Sequence, residues 1–178
     1  IYEPLFQYHY LKKPYELIPL TAKEMPSIQY LDDNFQETKN RKNAYYTKYT
    51  LKLKKGILYQ NHPAFYKDNS NFAYHNLSRK QLKSINTLKD FQYSSTRELI
   101  SDDYIYQIKR LADYKNHSPI SGVMQEYILG FSEYKNKINA FKKNNQKYKN
   151  KFILGNEISG VKKIDNYSFS ITLKKSYP

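Results

Sequence analysis

The chain has 178 residues, a formal net charge of +14, no cysteine, 20 tyrosines and nine phenylalanines. That length is enough to bury roughly 70% of the unfolded surface around an ordinary core, and the 39% hydrophobic content excludes a disordered composition. Without cysteine there is no disulfide, no thiolate zinc site and no cysteine nucleophile.

The charge invites a nucleic-acid reading, with lysines on phosphates and tyrosines stacked on bases. Of the 30 basic residues only Arg41, Arg79, Arg97 and Arg110 are arginine, which leaves 26 lysines. Phosphate and base recognition favours the planar guanidinium fork, whereas lysine is a hydrated point charge at home on any surface. With no groove-reading motif present, a solvated lysine surface outweighs a nucleic-acid interface, which stays as the alternative.

In chain order, residues 1–20 read as the end of a helix or a strand, a turn at Lys12–Pro14 and an extended segment. Pro4, Pro14, Pro19 and Pro26 recur too often for a long helix. Residues 32–43 are a polar turn or loop. "YYTKYTLKLKKGI" (45–57) alternates, with Tyr49, Leu51 and Leu53 on one face and Thr50, Lys52 and Lys54 on the other, which predicts a half-buried strand ended by Gly56. Residues 58–95 show no sustained period. Within them "NHPAFYKDNSNF" reads as a loop and "LSRKQLKSI" (77–85) as a short helix capped by Ser78.

The clearest helix follows. Ser101 is the expected N-cap, Asp102 and Asp103 suit the positive end of the helix dipole, and Lys109 and Arg110 suit the other end. Tyr104, Ile105, Ile108, Leu111 and Ala112 form one apolar stripe. After a break at Ser118–Pro119, Val123, Tyr127, Ile128, Phe131, Tyr134 and Ile138 predict a second helix over 122–141. Residues 142–151 read as a basic loop. The chain closes in a hairpin whose turn is expected at Asp165–Asn166, with Tyr167, Phe169, Ile171 and Leu173 alternating against Ser168, Ser170, Thr172 and Lys174.

Motifs for chemistry are sparse. His9, His62, His75 and His117 lack the spacing of a metal pair on one element. Asp102 and Asp103 are adjacent on a helix and point about 100° apart, so capping explains them better than acid–base work. No nucleophile elbow, metalloprotease helix, phosphate loop or dinucleotide fingerprint occurs, so no enzyme is expected and no cofactor. The tyrosines suit a core, a stacking platform or the wall of a ligand cleft.

Taken in order, five stretches resemble the family 5 extracellular solute-binding proteins of ABC importers, the dipeptide and oligopeptide type. "IYEPLF" (1–6) is similar to that family's lead-in to a first strand, and "YTLKLKKGI" (49–57) to its strand ending in a basic residue and glycine. "SSTRELISDDYIYQIKRLAD" (94–113) resembles its signature loop and capped helix, with Asp103 at the usual aspartate and Lys109–Arg110 at the basic end. Ser118–Pro119 follows as the family's Ser-Pro pair, and "GVKKIDNYSFSITLKKSYP" (160–178) as its closing hairpin. The signature glycine is replaced by Ser95 and Thr96, and the usual cap threonine by Ile100. Ile120 stands where oligopeptide binders can carry a tyrosine touching the ligand backbone.

The resemblance implies an α+β fold: part of lobe I of a two-lobed periplasmic-binding-protein type II fold, antiparallel strands with two or three helices. The whole of 1–178 would be one fragment of that lobe, in which 58–95 reads as an insertion, and a chain starting at Ile1 reads as one processed or cut from something longer. The implied function is binding of peptides, or a similar small solute, outside the cytoplasmic membrane and delivery to ABC permease subunits. A nickel or other small-solute receptor is the alternative within the family. The implied ligand-lining residues are Ser118, Pro119 and Ile120 in the turn after the signature helix, with Tyr2 and Glu3 near the segment that reaches the cleft. Neither a metal nor a nucleic-acid partner is expected, and the protein is read as a monomer.

Overall fold

The structure is a computed structural model in which residues 3–39, 41–144 and 153–175 are described. In chain order the strands are β1 (Phe6–Tyr8), β2 (Leu17–Pro19), β3 (Ser27–Leu31), β4 (Tyr46–Lys52), β5 (Lys67–Asp68), β6 (Asn71–Phe72), β7 (Val161–Asp165) and β8 (Ser168–Leu173). The helices are α1 (Arg79–Lys83), α2 (Ser101–Leu111), α3 (Ser121–Tyr127) and α4 (Phe131–Asn144), with a further helical turn at 153–155. The fold is mixed, with every strand pair antiparallel, and it holds more helices than the two or three expected. The chain divides into two compact units, one from residues within 1–54 and 100–178, the other from 55–99.

The first unit is built on a four-stranded sheet in the order β3-β4-β8-β7. The alternation in β4 does what its pattern predicts: Thr47, Leu51 and Leu53 are buried, and Lys52 and Lys54 face water. Leu51 lies opposite Phe169 of β8, and Phe169 in turn stacks on Tyr104 of α2, centroids 5.9 Å apart and nearly parallel. Tyr104 and Ile105 turn inward with Ala112, so the apolar stripe of α2 covers the β7–β8 hairpin. Phe131, Tyr134 and Ile138 of α4 are buried, as are Ile153, Ile158 and Val161.

Three local expectations are corrected. The predicted helix over 122–141 is two helices, because the chain between them joins the sheet. Ile128 bridges Leu173, the Leu129 amide donates to the Thr172 carbonyl at 3.0 Å, and Gly160 donates to the Leu129 carbonyl at 2.9 Å. Gly130 takes φ +77° there, a left-handed conformation open to glycine.

Ser101 does not cap α2. Ile100 holds that position, its amide donating to the Asp103 carboxylate at 3.0 Å, while Ser101 is the first helical residue. The Ser101 hydroxyl donates instead to the Asp165 carbonyl at 2.6 Å, and its amide donates to the Asn166 carbonyl at 2.8 Å. Ser101 thus fastens the helix start to the hairpin turn, and Asp103 alone supplies the cap carboxylate. Asp102 points elsewhere, to Lys163 on β7 at 2.5 Å.

The hairpin turn is also one residue later than predicted. Asp165 pairs with Ser168, so Asn166 and Tyr167 are the central residues. The Asp165 carboxylate accepts the Tyr167 amide at 2.6 Å, which requires the aspartate at the corner before the turn rather than within it. Of the expected basic loop over 142–151, residues 142–144 belong to α4 and the rest lies outside the described residues.

Lys109 departs from the sequence reading in another way. It is only 8% exposed, its ammonium donating to the Leu154 carbonyl at 3.4 Å. Burial pushes its pKa down, opposed by the Glu157 and Asp102 carboxylates. The unfolded chain therefore binds this proton more readily than the folded one. Stability gains from this group as pH rises through the window between the lowered folded value and the ordinary value near 10.4. Lys109→Met is expected to be neutral or more stable by about 1 kcal/mol at neutral pH. That advantage shrinks as the pH approaches about 10. Thermal denaturation of both proteins at the two pH values checks this, and a variant that loses more than about 2 kcal/mol contradicts it.

The second unit, 55–99, contains the stretch read as an insertion. Its ends are zipped together: Leu99 donates to Ile57 at 2.8 Å, Tyr59 to Arg97 at 3.0 Å, and His62 to Ser95 at 2.8 Å. The short helix appears where predicted, with Ser78 as its cap and Gln81 completing a reciprocal capping box. Aromatic contacts do much of the packing. Arg97 lies over the rings of Tyr59 and Phe65, Tyr66 stacks on Tyr93 at 4.9 Å, and Tyr74 meets Phe91 edge-on at 4.9 Å.

Candidate ligand groove

The end of α2 and the turn that follows it form an open groove of about 420 Å³, lined by Tyr106, Gln107, Arg110, Leu111, Asn116, Ser118 and Pro119. The turn is fixed by its own polar side chains. Asp113, buried, accepts the Lys115 amide at 2.9 Å and opens a 3-10 turn at Tyr114–Asn116. His117 then takes φ +45° and closes that turn by donating its amide to the Tyr114 carbonyl. Asn116 donates through its side-chain nitrogen to the Arg110 carbonyl at 2.7 Å, tying the turn back to the last turn of α2. The Arg110 carbonyl also accepts the Asp113 amide at 3.1 Å, so the Asn116 bond adds a second donor at the helix end.

Each wall brings different chemistry. Tyr106 and Leu111 are half-buried and, with Pro119, give the groove its apolar surface. Gln107, Asn116 and Ser118 supply amide and hydroxyl groups. Arg110 is exposed and is the one charged residue lining the groove. Its guanidinium offers five donors in a planar fork suited to a carboxylate or a row of carbonyls. The volume lies at the lower end of the range for small-molecule sites, and the combination of apolar wall, few polar groups and one cation suits a small amphipathic solute.

Two of the five residues expected to meet ligand, Ser118 and Pro119, line this groove. Ile120, exposed at the start of α3, is not among its lining residues, and its carbonyl accepts the Met124 amide at 3.0 Å. Glu3 is not a lining residue either. Its carboxylate side is exposed, while its carbonyl accepts the Tyr104 hydroxyl at 3.1 Å. That hydroxyl also meets Thr21 at 2.5 Å, and Thr21 donates to the Pro4 carbonyl at 3.0 Å, so residues 3 and 4 are fastened to α2 by their backbone. Burial raises the Tyr104 phenol pKa, with the Thr21 hydrogen bond working against it. Tyr2 lies outside the described residues.

Sequence reasoning missed Tyr106, Gln107, Arg110, Leu111 and Asn116 as groove residues. Arg110 was legible in part: at i+4 from Tyr106 and i+3 from Gln107 it sits between them on the helix surface, away from the apolar stripe. Asn116 carried no such signal, because only the fold shows its amide turned onto α2.

Three of the four histidines have local partners for their rings. His62 accepts the Ala64 amide at 3.1 Å, the His75 ring meets the Ala64 carbonyl at 3.0 Å and stacks on Phe72, and His9 accepts the Leu11 amide at 3.2 Å. No protein-family description, curated protein or solved structure matches this chain.

Proposed function

We propose that this chain is part of the first lobe of the solute-binding component of an ABC importer, one that binds a peptide or a similar small solute outside the cytoplasmic membrane and presents it to a permease. One observation carries the reading. The Ser118–Pro119 turn, which the family resemblance puts against ligand, lines a groove together with Tyr106 and Arg110. The groove supplies an apolar wall, hydrogen-bonding side chains and a cation. These groups suit the carbonyls and carboxylate of a short peptide, with the main chain read more than the side chains.

In this reading the protein captures and releases without bond chemistry, and a second lobe closes over the solute by a hinge motion driven by contacts to both walls. One wall holds little by itself. The 178-residue chain alone is therefore expected to bind short peptides more weakly than about micromolar in calorimetric titration. A tighter dissociation constant for the isolated chain contradicts the two-lobe reading.

A further inference from the structure

The β1–β2 hairpin ends in a tip that nothing else in the described chain explains. β1 and β2 pair in register from Phe6↔Pro19 to Tyr8↔Leu17, and His9 extends the ladder by donating to the Glu16 carbonyl at 2.7 Å. That leaves Tyr10 to Tyr15 as the tip, and every residue from Tyr10 to Leu17 is exposed. The tip is not polar, as a solvated turn would be. Tyr10 is 95% exposed, Leu11 80%, Tyr15 77% and Tyr8 67%, with Tyr8 and Tyr15 meeting edge-on at 6.2 Å.

Charge accompanies these side chains. Lys12 and Lys13 stand between Tyr10 and Tyr15, and Glu16 is the one acid from Tyr8 to Leu17. Glu16 is already held by Lys12 at 2.8 Å, whereas Lys13 makes no ion pair among the described residues. The tip thus presents tyrosine rings and a leucine with surplus positive charge.

We propose that this hairpin tip is a membrane-contact element that enters the headgroup layer of an anionic bilayer. Three features favour a lipid surface over a protein. The four side chains offer on the order of 500 Å² of apolar surface. A stable protein interface needs about 800 Å² from each partner. Tyrosine places an apolar ring and a polar tip at the depth of the headgroups, and lysine reaches back from that depth to lipid phosphates. A narrow convex tip also enters a soft layer of headgroups without a shaped receptor. The positive charge matches anionic lipid, and the contact weakens as salt screens it.

The test is co-sedimentation of the 178-residue chain with phosphatidylcholine vesicles in which a quarter of the lipid is phosphatidylglycerol, against vesicles of phosphatidylcholine alone. The chain is expected to pellet with the anionic vesicles. Tyr10→Ser with Leu11→Ser is expected to lower the partition coefficient about tenfold. Lys12→Gln with Lys13→Gln is expected to lower it about fivefold per lysine. Because these side chains are exposed, far-UV circular dichroism stays unchanged in both variants.

Equal binding by the Tyr10→Ser, Leu11→Ser variant overturns the proposal, since the dispersed positive charge of the chain would then account for all of it. Absence of the chain from the pelleted vesicles overturns it too. Self-association that the same variant abolishes, without vesicle binding, reassigns the tip to a protein contact.

Discussion

Phe169→Ala is expected to cost about 3–5 kcal/mol of folding stability, the largest loss from any single truncation considered for this chain. Phe169 is completely buried, faces Leu51 across the β4–β8 pair and stacks on Tyr104 of α2. It therefore joins the central strands to the helix whose far end carries the groove. Removing the ring forfeits its burial and leaves a space that a hydrogen-bonded sheet cannot collapse to fill. The same truncation at Ile171, two residues along β8 and half-buried, is expected to cost clearly less. Urea denaturation monitored by circular dichroism measures both, and comparable losses at the two positions contradict this account of the core.

The second large effect is expected at Gly160. A Cβ built there would lie 2.6 Å from the Leu129 carbonyl oxygen, 2.8 Å from the Thr172 carbonyl oxygen and 2.9 Å from the Leu129 side chain. Two of these obstacles are backbone, one in the segment that splits the expected long helix and the other in the strand β8 to which that segment is bonded. Gly160 donates its amide to Leu129 at 2.9 Å and accepts from Thr172 at 2.7 Å, so moving away breaks the bonds that hold the junction. Gly160→Ala is accordingly expected to cost about 3 kcal/mol. Gly122→Ala is the control: nothing lies within 4 Å of a Cβ there, and the substitution sits inside α3, where alanine is the better helix former. A Gly160→Ala variant as stable as the Gly122→Ala control would show that the 129–130 junction is not packed as described.

Where a pattern is local, the sequence carried it. The alternation in β4, the stripe of α2 and the Ser78 cap follow from side-chain period and capping chemistry, and each appears at its expected place. In β8, by contrast, Ser170, set against the apolar positions, is buried beside Phe169 while Ile171 and Leu173 are only half-buried. The failures share a different cause: long-range bonds competing with a local preference. Ser101 has the chemistry of a cap, but Asp165 and Asn166, 64 and 65 residues later, claim its hydroxyl and amide. Ile128 and Leu129 have the spacing of a helix, but the end of β8, which runs past β7 on that edge, takes their backbone. Lys109 has the position of a solvated helix end, yet folds against Leu154.

The groove was half legible for the same reason. Ser118 and Pro119 belong to a recognisable sequence order, whereas Asn116 joins them only through a bond to the Arg110 backbone. Glu3, placed by resemblance in the same neighbourhood, is anchored instead through its carbonyl to Tyr104.

Native mass spectrometry of the protein at its full natural length, purified without denaturation or added ligand, tests the solute-binding account most directly. The account predicts a mass excess that matches co-purified peptides of a few residues, or a single small solute, and that disappears when the protein is unfolded and refolded. A ligand-free protein that instead retains nucleic acid through a salt wash would contradict it, and would return the explanation of this chain to its positive charge.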